Sequence, residues 1–381
     1  MEIGVIGFGL RGGLSALAHQ PDHGIRVTTL ADPSPRAKAL FAQRFGESVT
    51  LVDSVQELLD RDLDAVFVLS PDYLHEEHAI ACLQAGIAVY LEKPMAITVE
   101  GCDRILKCAE QTGTKLYLGH NMRHFEVVKA MKRWIDAGHI GEPKTAWCRQ
   151  FVSYGGDAYF CDWHAERRYT TGLFLQKGAH DIDVLHHLCG GYASRVSAMG
   201  KLMVYGDALN RREPGTTAMA DFRLSWPPAA IQGLNPVIDI EDVNMLTMEL
   251  DNGVLAAYQQ CHFTPDAWRN YTVIGSEGRI ENLGDGPGGV VKLWNKPRYG
   301  YSPEADLEFV LPEAEGGHGG SDALIVDEFL RFVREDAEPS ISPVAARMAV
   351  AAGVAATESL RNGSVPIDVT PLPKEIAFVR R

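Results

Sequence analysis

The sequence predicts two regions of different class: an α/β doubly wound parallel sheet over residues 1–121, and an α+β region over residues 122–381 with an open, mainly antiparallel sheet. Three observations carry this reading. Over the first 120 residues, short β-type runs alternate with segments of helical spacing, the pattern of a parallel sheet wrapped by helices. After Gly119 and one longer helix the strand candidates are mostly consecutive, which argues for antiparallel pairing. A glycine-rich turn also sits directly behind the first strand.

Taken in order, "IGVI", "IRVTTL", "DAVFVL", "IAVYL" and "TKLYLG" are rich in Val, Ile, Leu and Tyr and read as strands. The segments 11–19, 34–45, 73–85 and 98–112 carry helical spacing between them. The second region opens on a longer helix over roughly 123–137. It continues through "TAWCRQFVS", "RVSAMGKLMVY", "TAMADFRLS", "VNMLTMELD", "VLAAYQQCHF" and "NYTVIGS" as strands. Helices over 321–335 and 343–361 close the chain, and "GDGPGGV" and "EAEGGHGGSD" read as flexible surface loops.

Composition narrows the class. At 381 residues the chain is long enough for two or three domains. It is 46% hydrophobic and 23% charged, as soluble globular proteins are, and no apolar run approaches the roughly 20 residues of a membrane span. "MEIGVIGFG" has no basic n-region or cleavage site, so a cytoplasmic protein without a signal peptide is expected. A formal charge of −14 makes nucleic acid and anionic membranes poor partners. The seven cysteines are odd in number and form no CxxC pair, so they read as reduced packing residues.

"IGVIGFGLRGGL" places G-x-G-x-x-G (Gly7, Gly9, Gly12) between the first strand and a helix. A tight turn, close approach of the backbone to a pyrophosphate and helix N–H groups aimed at it all require small residues there. Asp32 follows the next strand, twenty residues after Gly12, where a carboxylate accepts from an adenosine ribose. Asp32 favours NAD because it would repel a 2′-phosphate, while nearby Arg36 keeps NADP open.

"VYLEKPMAIT" ends an apolar run on Lys93, between Glu92 and Pro94. A lysine at the carboxyl end of a doubly wound strand faces the ligand crevice, although simple pairing with Glu92 is the alternative. Farther on, His180 and Asp183 are spaced i, i+3 with His187 one turn along. That pattern fits a carboxylate-held proton carrier, a core histidine, or a metal site of His180, Asp183 and His187.

The glycine loop with Asp32, "SPDYLHEEHA" at 70–79, E-K-P at 92–94, "GHNMR" at 119–123 and "KGAHDIDVL" at 177–185 resemble, in order, the Gfo/Idh/MocA oxidoreductases. The likeness covers nearly the whole chain, to a terminal helix segment at Ser359 to Gly363. It implies a Rossmann domain followed by an α+β domain that carries the substrate site and mediates a homo-oligomer, a dimer or tetramer. It implies cofactor contacts from Gly7, Gly9, Leu10, Arg11, Gly12, Asp32, Ser70, Pro71, His75, Glu92, Lys93 and Asn121. Lys93 and His180 become the catalytic pair, working on the proton of a sugar, cyclitol or related hydroxyl, with no metal.

The chain departs from the family at one position: many members carry an aspartate four residues before the histidine, where this one has Gln176, followed by Lys177. Glutamine cannot relay a proton as a carboxylate does, so a variant of the lysine–aspartate–histidine relay is expected. Arg123, His124, Tyr159, Trp163, His164, Arg167 and Arg168 form a candidate substrate surface, on which guanidinium forks would suit an anionic sugar. Trp163 would stack on a sugar face or pack in the core. Three function classes follow: an NAD-dependent dehydrogenase or reductase, an NAD⁺-dependent glycoside hydrolase that oxidises its substrate transiently, and a non-catalytic nucleotide sensor. Retention of Lys93 and His180 disfavours the last.

Overall fold

The computed structural model describes residues 1–216 and 222–378. Of the strand expected over "TAMADFRLS", residues 217–221 lie outside the described residues and 222–225 are irregular.

Strands β1 (Glu2–Ile6), β2 (Arg26–Ala31), β3 (Thr50–Val52), β4 (Ala65–Val68), β5 (Ala88–Leu91) and β6 (Leu116–Leu118) form a parallel sheet of order β3-β2-β1-β4-β5-β6. Every residue of β4 and β5 is buried, as expected for a sheet covered on both faces. The strand order reverses between β1 and β4, and at such a switch point the carboxyl ends of the strands open onto a crevice. Gly7, Leu69 and Glu92 follow those ends directly.

The chain packs as two units, with segments near its C-terminal end returning to the first. One unit comprises Met1–Asn121, Gly316–Val350 and Leu372–Arg381, the other Met122–Glu315 and Ala351–Pro371. The return of the chain has a packing cause. Phe67, Tyr90 and Tyr117 form one row across β4, β5 and β6. Phe329, on the helix Ser321–Glu335, lies on that row with ring centroids 5.2, 5.5 and 5.7 Å away. Burial of such rings contributes on the order of 2 kcal/mol each, so the first 121 residues alone would leave an aromatic face bare. Fully buried Arg347 adds an ion pair to Asp103 at 2.8 Å.

In the second unit, β7 (Pro143–Phe151), β8 (Ala193–Lys201), β9 (Val243–Leu250), β10 (Leu255–Cys261), β11 (Trp268–Gly275), β12 (Arg279–Leu283), β13 (Val290–Trp294), β14 (Leu307–Val310) and β15 (Ile367–Asp368) form one sheet. Its order is β14-β13-β12-β11-β7-β10-β9-β8-β15, antiparallel throughout except for the β7–β10 pair. Burial alternates along β9 and β10, so one face is covered and the other open. The helix Gly178–Cys189 lies on the covered face, and Met199 and Met245 stand exposed on the other. Ser359 ties the end of the helix Pro343–Arg361 to this sheet, accepting from the Ala198 N–H at 2.9 Å and donating to the Val365 carbonyl at 2.6 Å. All seven cysteines are free thiols.

Candidate active site

The glycine loop is shaped by close approach. Gly7 has φ +84°, and a Cβ there would meet the Ser70 backbone at 2.8 Å. A Cβ on Gly12 would strike the Phe8 ring at 2.8 Å, whereas one on Gly9 would meet nothing within 4 Å. The loop therefore presents bare backbone over Gly9, which is what a pyrophosphate requires, and a dinucleotide fits it. Asp32 holds the loop in place, each carboxylate oxygen accepting one backbone N–H, from Phe8 at 2.9 Å and Ser34 at 2.8 Å. Each oxygen keeps a lone pair for a ribose hydroxyl. Leu10 is 45% exposed at the tip of the loop.

Arg11 turns back into the protein. Its Nε donates to Glu92 at 2.7 Å, and Nη1 and Nη2 donate to the two Asp322 oxygens at 3.0 Å each. Asp322 also accepts from Asn121 at 3.0 Å and lies 2.9 Å from His318 Nδ1. The segment expected to be a flexible surface loop thus packs on the glycine loop through Asp322 and Arg11. Burial opposes ionisation of Asp322, but the bonds from His318 and Arg11 hold its carboxyl well below the usual range.

Glu92 connects this cluster to the lysine. Its second oxygen accepts the Lys93 backbone N–H at 2.8 Å. Burial opposes the Glu92 carboxylate, yet the charges of Arg11 and Lys93 keep its pKa depressed. Next along, the Pro94 carbonyl lies 2.6 Å from His75 Nδ1, while His75 Nε2 lies 2.9 Å from the Ser70 carbonyl. Ser70, His75, Glu92, Lys93, Asn121 and the glycine loop therefore belong to one connected group, with Pro71 beside Ser70.

A second group forms in the other unit. Lys177 caps the start of the helix Gly178–Cys189, one turn before His180, and both are buried. Lys177 Nζ donates to Tyr154 Oη at 3.3 Å, and its charge also acts on Tyr159. Gly155 makes this possible, because a Cβ there would lie 2.1 Å from the His262 carbonyl. Gln176, in the turn before Lys177, is also buried. Tyr159 packs edge-on to His164 and His262 at 5.8 and 5.3 Å. His164 lies 2.6 Å from Asp162 and stacks with Trp163 at 3.7 Å. Burial pushes His262 down to about 3, with Lys177 adding to the effect.

The arginines do not gather round an anion. Arg123 makes a bidentate pair with Asp183 at 2.8 and 2.7 Å, with both side chains buried. Arg167 bonds Asp239 and Glu241, and Arg168 pairs with Glu166 at 2.7 Å. Their charges are spent within the protein. His124 is half-buried behind Arg123 in the chain. Among the described residues no cluster of three His, Cys, Asp or Glu could hold a metal, and burial takes His187 down to about 4.

Sequence reasoning missed Asp322, Tyr154 and Asp181. Asp181, fully buried one residue after His180, accepts from Arg269 Nε at 2.7 Å and from the Tyr258 and Tyr271 hydroxyls. These partners lie on β10 and β11, so Asp181 fastens the His180 turn to the sheet. A buried aspartate within "AHDID" was the available signal for it.

Residues 1–120 match the model of an oxidoreductase family, NAD-binding Rossmann fold, and residues 132–369 match that family's C-terminal alpha/beta domain. The scyllo-inositol 2-dehydrogenase (NAD(+)) of Bacillus subtilis (strain 168) is 23% identical over 91% of this chain and 90% of its own length. The 2,7-anhydro-N-acetylneuraminate hydratase of Mediterraneibacter gnavus is 26% identical over 51% of each chain. Other curated relatives are spanned over about half their length, at 55%, 45% and 48%. Levoglucosan dehydrogenase, solved with NADH and levoglucosan, has a TM-score of 0.74 at 19% identity, covering 97% of this chain and 100% of that one. Likeness at that identity shows the fold.

Proposed function

This chain belongs to the Gfo/Idh/MocA oxidoreductase family, with an NAD-binding Rossmann domain, and from that premise we propose that it oxidises a sugar, cyclitol or sugar-derivative hydroxyl. The observation that carries the reading is Lys93 at the end of β5, fastened through Glu92 to Arg11 of the cofactor loop. Bound NAD⁺ supplies the hydride acceptor. Gly7, Gly9, Leu10 and Gly12 would hold its pyrophosphate and Asp32 its ribose. Ser70, Pro71, His75 and Asn121 wall the crevice, while Arg11 and Glu92 set the position of Lys93. The Lys93 ammonium donates to the substrate oxygen and favours loss of its proton, and His180 works on the same hydroxyl. Self-association belongs on the open face of the second sheet, where Met199 and Met245 are 66% and 50% exposed.

The test follows NAD⁺ reduction and sugar release together, across a panel of free sugars, cyclitols and glycosides. Net NADH in proportion to oxidised polyol is expected. A redox-neutral glycoside hydrolase is the second reading, favoured by Gln176 in place of a carboxylate and by the likeness to a hydratase. It would release aglycone with catalytic NAD⁺, carry solvent deuterium into the product ring and build up no NADH, and that result replaces the first reading.

Cofactor choice follows from Asp32. Calorimetry should find NAD⁺ bound more tightly than NADP⁺, because a 2′-phosphate would face a carboxylate already held against two backbone N–H groups. Arg36 is exposed and, among the described residues, pairs with no acidic side chain, so it is the group to blame if NADP⁺ binds equally well.

A further inference from the structure

We propose that Tyr154 and Lys177 form the acid–base pair of the substrate region: Tyr154 Oη takes the hydroxyl proton of the substrate, and Lys177 positions and readies that oxygen. The inference rests on the hydride-transfer reading above and assigns the proton acceptor that Gln176 cannot be.

Lys177 is a buried ammonium that donates to the Tyr154 phenol, has the Tyr159 phenol within its field and, among the described residues, forms no ion pair with a carboxylate. Burying an ammonium in such company is costly unless a neighbour shares its charge, and a phenol that ionises does so. The two tyrosines differ. At Tyr159 burial dominates and pushes the hydroxyl up to about 12. At Tyr154 the charge of Lys177 outweighs burial, so the phenol is more acidic than usual. Arg269 lowers it further and Asp285 works the other way. Lys177 in turn feels Arg269 and Asp181, and beside it His262 stays neutral. Tyr154 is thus the more acidic of the two phenols, and it is held by Lys177, which lies one helical turn before His180.

The step balances. The substrate O–H bond breaks and a phenol O–H bond forms on Tyr154. The freed electron pair becomes the second bond of the new carbonyl, and the C–H pair would leave as hydride, for which NAD⁺, when bound, would supply the acceptor. In the reducing direction Tyr154 gives the proton back. Lys177 stays protonated throughout.

Two measurements on the full chain decide it. First, cofactor-free protein is titrated by near-ultraviolet difference absorbance. One tyrosinate should form at lower pH than the rest, vanish in Tyr154→Phe and move to higher pH in Lys177→Met, with Lys177→Arg close to wild type. Second, the pH dependence of kcat/KM is recorded with the polyol that yields NADH. Tyr154→Phe should lower kcat by about 10² and lose the rising limb, and Lys177→Met should displace that limb to higher pH. Wild-type turnover and limb in Tyr154→Phe, or a Tyr154 titration unmoved by Lys177→Met, overturns the pair. No NADH with any polyol overturns the parent reading and the proton step with it. The apo titration then reports separately whether the two side chains are coupled.

Discussion

Lys93→Met should lower turnover by about 10² or more while NAD⁺ binding and thermal stability stay near wild type. The expectation comes from how the lysine is held. Glu92 accepts the Lys93 backbone N–H, so the turn keeps its anchor when the ammonium is removed. Arg11 keeps Glu92 ionised from the other side, and Asp322 keeps Arg11. Methionine fills the same volume without a donor, so what is lost is the hydrogen bond to the substrate oxygen. Isothermal titration with NAD⁺, thermal melting and steady-state NADH formation separate the three quantities. A variant that turns over at the wild-type rate removes Lys93 from the mechanism, whereas one that also loses NAD⁺ affinity makes it part of the cofactor site instead.

How much of this could be read in advance depended on whether a signal was local. The parallel strands were legible because "AVFV" and "AVYL" are buried on both faces and show as continuous apolar runs. The helices Ser321–Glu335 and Pro343–Arg361 fall on the segments expected for them. β3 escaped because it is three residues with one buried, and β14 because its "LEFV" lies mostly exposed at the sheet edge. An amphipathic helix announces an apolar face but not the sheet that face will cover, so the return of residues 316–350 to the first unit was invisible. The site divides in the same way. Glycines, Asp32 and the Glu92–Lys93–Pro94 turn carry their chemistry in short motifs. Asp322 meets Arg11 across 311 residues, and Tyr154 meets Lys177 across 23, and no spacing rule connects either pair. The arginines show the complementary case: a guanidinium is read as free until its carboxylate is found, and Arg123, Arg167 and Arg168 each meet one within the chain.

That last point yields the second large effect, on stability and not on substrate affinity. Arg123 and Asp183 are 6% and 2% exposed and meet through two hydrogen bonds. Burial works against the guanidinium, yet the Asp183 charge holds it protonated, so the pair is ionic. Arg123→Met leaves the Asp183 carboxylate buried without its counter-ion, a change that typically costs about 3–5 kcal/mol. Urea unfolding should therefore show a large fall in midpoint at unchanged slope. Removing both charges is a different matter: Arg123→Met with Asp183→Leu deletes the desolvation cost along with the attraction and should recover most of the loss. Were Arg123 a substrate ligand instead, the single variant would raise KM while its unfolding midpoint stayed in place. A raised KM with an unmoved midpoint would return Arg123 to the substrate surface on which the sequence first placed it.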